Sequence, residues 1–436
     1  MSVVTDSPVH SSSSDDFAAF LDGELDSVSD EEHEIESSVK RRKVESSGYV
    51  EEIQESVSVT SVGRGSGKSR EKDKCSHPGV FSQMCYACGE KIEEDSGVTL
   101  RYIHKELRLG SDELARLRTK DVKNLLRHRK LYMILDLDHT LLNSTGITDV
   151  APDEEYLRNP PNYMEGSLFV VPKMPIMTKL RPFVRDFLKQ ASSMFEMYIY
   201  TMGDSHYAAA MASLLDPKKE YFDARVISRD ESTQKHQKGL DLVLGQESAV
   251  VILDDTETVW SRHMDNLILI ERYNFFASSC RQHKIPCKSL AELRTDESES
   301  DGILATVLQV LKRIHCAFFK DLGDDPADRD VRQVLRSERS EILKGCKIVF
   351  SRVFSLYVQA ETHILWRIAE GLGATCCTEV DPSVTHVVAA DAGTEKARWA
   401  VKENKFLVNQ QWIEAANFLW KRQPEDNFPV KPPKNT

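Results

Sequence analysis

The sequence predicts an α/β protein: a parallel-sheet catalytic domain followed by a smaller α/β domain. Three observations carry this. Short apolar runs at 131–135, 194–200, 249–253 and 267–270 alternate with helical stretches across residues 93–300. Asp136, Thr201 and Asp254 stand at or just beyond the ends of such runs, where α/β sheets hold their ligands. A second set of strand and helix signals begins near residue 341.

In chain order, residues 1–72 are expected to be a disordered, acidic, Ser-rich tail. The first sixty positions hold fifteen Asp and Glu, four Lys and Arg and fourteen Ser, too little apolar surface to offset chain entropy. Of the net charge of -12, all but about one unit lies there. A chain built as one cationic surface is excluded, and no direct nucleic-acid binding is expected. No apolar run approaches the roughly 18 residues of a membrane span. The start lacks the basic-then-apolar pattern of a secretory signal, and nine cysteines is an odd count. These features predict a soluble intracellular protein with reduced thiols and no membrane partner. Lys40-Arg41-Arg42-Lys43 reads either as a nuclear-import signal or as a solvated charge run. Ser27 and Ser29, ahead of Asp30-Glu31-Glu32, suit regulatory phosphorylation.

Residues 73–92 form a Cys/His segment. Cys75 and His77 are followed, after seven intervening residues, by Cys85-Tyr-Ala-Cys88-Gly89. Two such pairs bring four N/S ligands around one structural Zn²⁺; the alternative is three free thiols and a surface histidine in a linker.

Within 93–300, the helical stretches expected are 183–191, 205–215 and 239–244, with a side hairpin of 168–171 and 176–180 around Pro172 and Pro175. Residues 301–340 read as a helical connector, since Ile303, Val307, Val310, Leu311 and Ile314 recur at helical spacing. In the second domain, 341–430, strands are expected at 346–350, 374–378 and 386–389. Helices are expected there at 362–371, 395–403 and 411–418.

The chemistry centres on Asp136-Leu-Asp138-His-Thr140, directly after a strand. Alternation places both carboxylates on one side of an extended segment. One can accept a phosphoryl group while the other protonates the leaving oxygen and then activates water. Two carboxylates repel a phosphate dianion, so a divalent cation and a basic side chain must stand nearby, and Mg²⁺ suits an all-oxygen site. Thr201, Lys238 and Asp254-Asp255 follow in order.

The series DLDHT, KLRP, YIYTMG, LLDP, SRDES, KGL and LDDTETVW closely resembles the Fcp-type phosphatases of the RNA polymerase II carboxy-terminal domain, members of the haloacid-dehalogenase superfamily. With the Cys/His segment and a C-terminal BRCT domain, the resemblance spans roughly residues 75–430 and is similar to the plant proteins of this kind. It implies a haloacid-dehalogenase-like sheet and a Mg²⁺-dependent protein serine/threonine phosphatase, with Mn²⁺ or Co²⁺ able to substitute. Asp136 would be the nucleophile and Asp138 the general acid/base. Thr201 would bond the phosphoryl group and Lys238 neutralise its oxygens. Asp255, the Asp136 carboxylate and the Asp138 carbonyl would ligate Mg²⁺, and Asp254 would orient that shell. Arg181 and Asp216 match positions important in the family, with a structural ion pair as the other reading. Gly239-Leu240 after Lys238 departs from many relatives and is expected to alter helix entry rather than catalysis. The implied partners are the phosphorylated polymerase tail and transcription factor IIF, and the implied location is the nucleus.

The segment Leu343–Ser351, the Gly371 and Gly373 pair, Thr385-His386-Val387-Val388 and Trp412-Ile413 resemble BRCT landmarks. Ser351 and Lys396 stand at positions that hold phosphoserine in some BRCT domains, with Arg352 in place of the usual glycine. Phosphate binding and a purely packing or protein-contact module both remain open for this unit. The leading expectation is hydrolysis of serine phosphate on the polymerase tail through an aspartyl-phosphate. The alternatives are a non-catalytic nuclear phosphopeptide-binding scaffold and a small-molecule phosphatase; the latter usually needs a capping domain, absent between Thr140 and Thr201.

Overall fold

The computed structural model describes residues 75–92, 97–320, 329–355 and 359–432. The expectations for the tail, its basic cluster and its serines lie outside these residues.

The first unit is a four-stranded antiparallel sheet, which no pattern in the sequence announces. Its strands are β1 (Gly79–Phe81), β2 (Met84–Cys85), β3 (Val98–Thr99) and β4 (Leu107–Leu109), in the order β2-β1-β4-β3. Helix α1 (Ser111–Arg127) follows, with Asp112 and Glu113 at its N-terminus and Arg127 in its last turn, matching the helix dipole. Its buried face presents Leu114, Leu117, Val122, Leu125 and Leu126.

The catalytic unit is built on a parallel sheet, as the alternating pattern predicts, with a fifth strand, Val226–Ile227, that no apolar run in the sequence announces. It runs β10-β9-β5-β11-β12, all parallel: β5 (Leu131–Leu135), β9 (Phe195–Tyr200), β10 (Val226–Ile227), β11 (Val250–Asp254) and β12 (Leu267–Leu269). Every residue of β5 and β11 is buried, as continuous apolar runs require when helices cover both faces. Helices α2 (Val184–Ala191) and α3 (Ser205–Leu215) stand close to their expected bounds, and α4 (Ala277–Gln282) follows β12.

One expectation needs correction and two need extension. The side hairpin is a three-stranded antiparallel sheet, β6-β8-β7, because β6 (Leu142–Gly146) joins β7 (Leu168–Val170) and β8 (Ile176–Leu180). Residues 239–244 are not a helix; only a single 3₁₀ turn, Leu240–Leu242, forms. Its apolar residues Leu240, Leu242, Val243 and Leu244 are all buried, and the stretch is too short to sustain an α-helix by itself. The helical reading of 302–340 resolves into two helices, α5 (Ile303–Phe319) and α6 (Val331–Ser340), the latter capped by the Asp330 side chain accepting from the Arg332 N–H.

The C-terminal unit has a parallel sheet in the order β14-β13-β15-β16: β13 (Lys347–Ser351), β14 (Thr375–Cys377), β15 (His386–Ala389) and β16 (Phe406–Val408). Helices α7 (Ile364–Gly371), α8 (Glu395–Lys402) and α9 (Gln411–Leu419) accompany it. Gly373 takes φ +92 where α7 gives way to β14, and a Cβ there would meet the Ser340 carbonyl. Trp412 is fully buried, as expected. The units share apolar contacts: Trp420, just beyond α9, belongs to the same buried cluster as β5, β11, α5 and α6.

Candidate active site

The register of the parallel sheet delivers the site. Leu135 lies opposite both Ile199 on β9 and Leu253 on β11. Asp136 and Asp254 therefore leave the sheet side by side, with Thr201 one residue past the end of β9. The Asp136 N–H donates to the Leu253 carbonyl at 3.0 Å, holding the strand ends together.

Lys238 bridges the strand ends. Its ammonium lies 2.5 Å from the Asp136 carboxylate and 2.7 Å from that of Asp254, and all three side chains are buried. The same ammonium sits 5.9 and 5.8 Å from the ring centres of Tyr200 and Trp260, a cation–π setting that tolerates charge. Both Asp254 oxygens are already engaged: Oδ1 accepts from the Thr256 N–H at 2.8 Å, and Oδ2 from the Trp260 indole at 2.8 Å and from Lys238. Asp255 accepts from the Arg272 Nε at 2.6 Å and from the Thr256 hydroxyl at 3.1 Å.

Asp138 is held by the Tyr207 phenol on α3, whose oxygen is also 3.0 Å from the Ser144 hydroxyl. Burial pushes the Asp138 carboxyl up, the Tyr207 bond pulls it down, and with Asp255, Lys238 and Thr201 contributing it settles at about 7. A group that must donate and then accept a proton at neutral pH works best there. Burial drives the Asp136 carboxyl well up; Lys238 opposes this, and Asp254, Asp255 and Asp138 add to it.

Carboxylate oxygens of Asp136, Asp254 and Asp255 lie within 4.8 Å of one another. Four acids converge on Lys238 and Arg272, so the charge balance fits one further cation.

The Cys/His segment also converges. Cys75 Sγ is 3.9 Å from Cys85 Sγ, and Cys88 Sγ is 3.5 Å from His77 Nδ1. A tetrahedron with bonds of about 2.3 Å has edges near 3.8 Å, so the donor set has the dimensions of a zinc site. His77 Nε2 faces Glu90 at 3.7 Å, the carboxylate support common behind metal-binding histidines. Burial opposes ionisation of the Cys85 thiol, but hydrogen bonds from His77 and from the Cys88 and Ala87 N–H groups bring it down to about 7.

Other expected site residues have different surroundings. Arg181 binds Glu297 bidentately at 2.9 and 2.7 Å and donates to the Thr140 and Glu271 carbonyls at 3.0 and 2.9 Å. It holds the loop after Asp138 rather than offering a free guanidinium. Asp216 accepts from the Glu220, Tyr221 and Phe222 N–H groups, closing the turn after α3. The Ser351 hydroxyl donates to Thr394 at 2.8 Å, and the Lys396 ammonium to the Thr378 carbonyl; both already have protein partners. Arg352 takes φ 55 and lies 3.7 Å from Asp391.

Residues 131–300 match the family model of NLI interacting factor-like phosphatases, and residues 338–416 that of the BRCA1 C Terminus (BRCT) domain. The chain is 57% identical over 98% of its length to RNA polymerase II C-terminal domain phosphatase-like 4 of Arabidopsis thaliana, covering 97% of that protein. It is 42% identical over 72% of its length to RNA polymerase II C-terminal domain phosphatase-like 3 of the same plant, covering 26% of that longer protein. The solved structure of fission yeast Fcp1, an RNA polymerase II CTD phosphatase bound to beryllium fluoride, matches with a TM-score of 0.58 and 27% identity. That match covers 72% of this chain and 100% of the other.

Proposed function

We infer the function from one premise: the chain belongs to the RNA polymerase II C-terminal domain phosphatases, haloacid-dehalogenase-type enzymes with a BRCT domain. It is a hydrolase acting on the phosphorylated C-terminal domain of RNA polymerase II. The finer reading is removal of phosphate from serine side chains of the heptad repeat through an aspartyl-phosphate on Asp136, in the nucleus.

The observation that carries the mechanism is the convergence of Asp136, Lys238 and Asp254 with Asp138 held by Tyr207. The Asp136 carboxylate attacks phosphorus while the Asp138 carboxyl gives its proton to the departing serine oxygen. Asp138, now ionised, takes a proton from water, which attacks the acyl-phosphate and frees Asp136. Lys238 offsets charge on the phosphoryl oxygens, and the Thr201 hydroxyl orients them. Asp136, Asp255 and the Asp138 carbonyl would hold Mg²⁺, with Asp254 ordering them; the ion supplies charge neutralisation between the acids and the phosphate dianion. Zn²⁺ in the Cys75, His77, Cys85 and Cys88 set would be structural. The BRCT unit would add effective concentration by holding the long tail, either through a protein contact or, with rearrangement of Ser351 and Lys396, through phosphate; transcription factor IIF is a further candidate partner.

The test is turnover of singly phosphorylated heptad peptides with and without magnesium, for the wild type and Asp136→Asn. The amide can neither accept the phosphoryl group nor carry the charge, so turnover and Asp136-dependent trapping by beryllium fluoride should vanish. A variant retaining a substantial fraction of the rate would overturn the aspartyl-phosphate mechanism.

A further inference from the structure

Lys238 lies in a stretch with almost no regular structure, yet its ammonium is fixed between two carboxylates. On its N-terminal side the backbone is tied to the segment after β11: the Lys238 N–H donates to the Val259 carbonyl at 2.8 Å, and Gln237 Nε2 to the Thr258 carbonyl at 3.0 Å. On its C-terminal side the 3₁₀ turn engages the Leu240 carbonyl through the Val243 N–H at 3.1 Å and leaves the next three carbonyls without helical partners. These are taken by residues more than a hundred positions upstream. Arg118 of α1 donates from Nη2 to the Leu240 and Asp241 carbonyls at 2.9 and 2.7 Å, and from Nε to the Val243 carbonyl at 3.1 Å. The Tyr102 hydroxyl takes the remaining Leu242 carbonyl at 2.9 Å. The turn also borders an open cavity of about 740 Å³ lined by Arg118, Gln237, Lys238, Asp241 and Arg262. On that side these hydrogen bonds add to the burial of Leu240, Leu242 and Val243 in fixing its position.

Arg118 lies upstream of residue 131, where the phosphatase family model begins. The geometry points to Arg118 as a positioning residue for the phosphatase reaction: it caps the 240–243 turn and thereby sets where the Lys238 ammonium meets Asp136. Tyr102 completes the clamp. The inference rests on the assignment of Lys238 to the phosphoryl oxygens. It also gives the N-terminal unit a part in catalysis: Gly110, at the start of α1, donates from its N–H to the Pro78 carbonyl beside β1.

The experiment is a double-mutant cycle on the full chain, reading kcat for p-nitrophenyl phosphate and affinity for beryllium fluoride with magnesium. Arg118→Gln should lower both about tenfold, since displacements near 1 Å at a reacting group cost up to a hundredfold; Arg118→Lys should recover part of the loss. In a Lys238→Ala background, Arg118→Gln should change beryllium fluoride affinity no further. Thr119→Val, which removes the neighbouring bond from Gln246 at 3.1 Å and one to the Ala115 carbonyl of its own helix at 2.9 Å, should leave both readouts near wild type. If Arg118→Gln does not fold, Tyr102→Phe carries the same cycle with one oxygen removed. Equal losses in the wild-type and Lys238→Ala backgrounds, or an unchanged kcat, would overturn the clamp while sparing Lys238. A Lys238→Ala protein that binds and turns over normally would take down both.

Discussion

The phenol of Tyr207 donates a hydrogen bond to the Asp138 carboxylate, and the same oxygen lies 3.0 Å from the Ser144 hydroxyl. One turn of α3 is thereby coupled to the group that must give and then take a proton. Tyr207→Phe should lower kcat by about ten- to a hundredfold, within the range of general acid–base contributions. The bond lowers the Asp138 pKa, so its loss raises it. The proton-donating form then persists to a higher pH, so the basic limb of the kcat/KM profile should move upward. An unmoved basic limb would show that Asp138 does not set it.

His283 is buried, and neither ring nitrogen has a hydrogen-bond partner among the described residues. Burial, then His139 and Arg272, push its pKa down from 6.5 to about 3. Between those values the unfolded chain binds the extra proton, so the stabilisation present above pH 6.5 is lost as pH falls toward 3. The slope is at most about 1.4 kcal/mol per pH unit. His283→Leu cannot charge, so its melting temperature should fall less between pH 7.5 and 5.0 than that of the wild type. Parallel declines would assign acid sensitivity elsewhere.

The spacing of Cys75, His77, Cys85 and Cys88 predicts about one zinc per chain by elemental analysis. Cys85→Ser and Cys88→Ser should each release it and lower the melting temperature, because a closed structural site contributes folding free energy. A metal-free preparation with unchanged stability and activity would favour the linker-thiol reading.

Trp420 joins the core built by β5, β11, α5 and α6, and the Arg339 guanidinium lies 6.0 Å from its ring centre. Trp420→Ala should cost about 3–5 kcal/mol, the usual range for a buried aromatic. The whole chain should melt in one transition at a lower temperature. Two transitions, with only one displaced, would show that the units unfold independently.

Four strands of the parallel sheet were legible because they are largely apolar runs, two of them, β5 and β11, ending at acids, while the two residues of β10 left no pattern; the order of Asp136, Asp138, Thr201, Lys238 and Asp254 pointed to the site. Strand β6 was hidden because it reads Leu-Asn-Ser-Thr-Gly while every residue is buried. Side-chain partners offset its burial: Asn143 accepts from the Phe275 and Phe276 N–H groups, and Ser144 meets Thr178. Periodicity sees hydrophobicity, not such pairings. The β1–β4 strands are two or three residues long, below the length at which alternation is detectable. Tyr207 and Arg118 escaped for a related reason, since each acts on a residue far along the chain: Asp138 is 69 positions away and Leu240 is 122. An Arg at helical spacing carries no local mark of the carbonyls it will meet. The 239–244 error has the opposite cause, a short buried apolar run that was taken for a helix face.

The strand order β10-β9-β5-β11-β12 has a consequence in time. The sheet's first strand is its central one, so its neighbours are supplied by segments that leave the ribosome later. Asp136 and Lys238 are 102 residues apart, and at about 5–20 residues per second the nucleophile exists for several seconds before its lysine is made. Asp254, Asp255 and Arg272 come later still, and Trp420 after them. From residue 140 until β11 is made, the chain carries DLDHT beside an unpaired strand edge and cannot act on a phosphoester. Activity cannot begin before the segment through Arg272 has closed the sheet and filled the site, so premature termination anywhere before residue 272 should yield an inert fragment rather than an unregulated hydrolase.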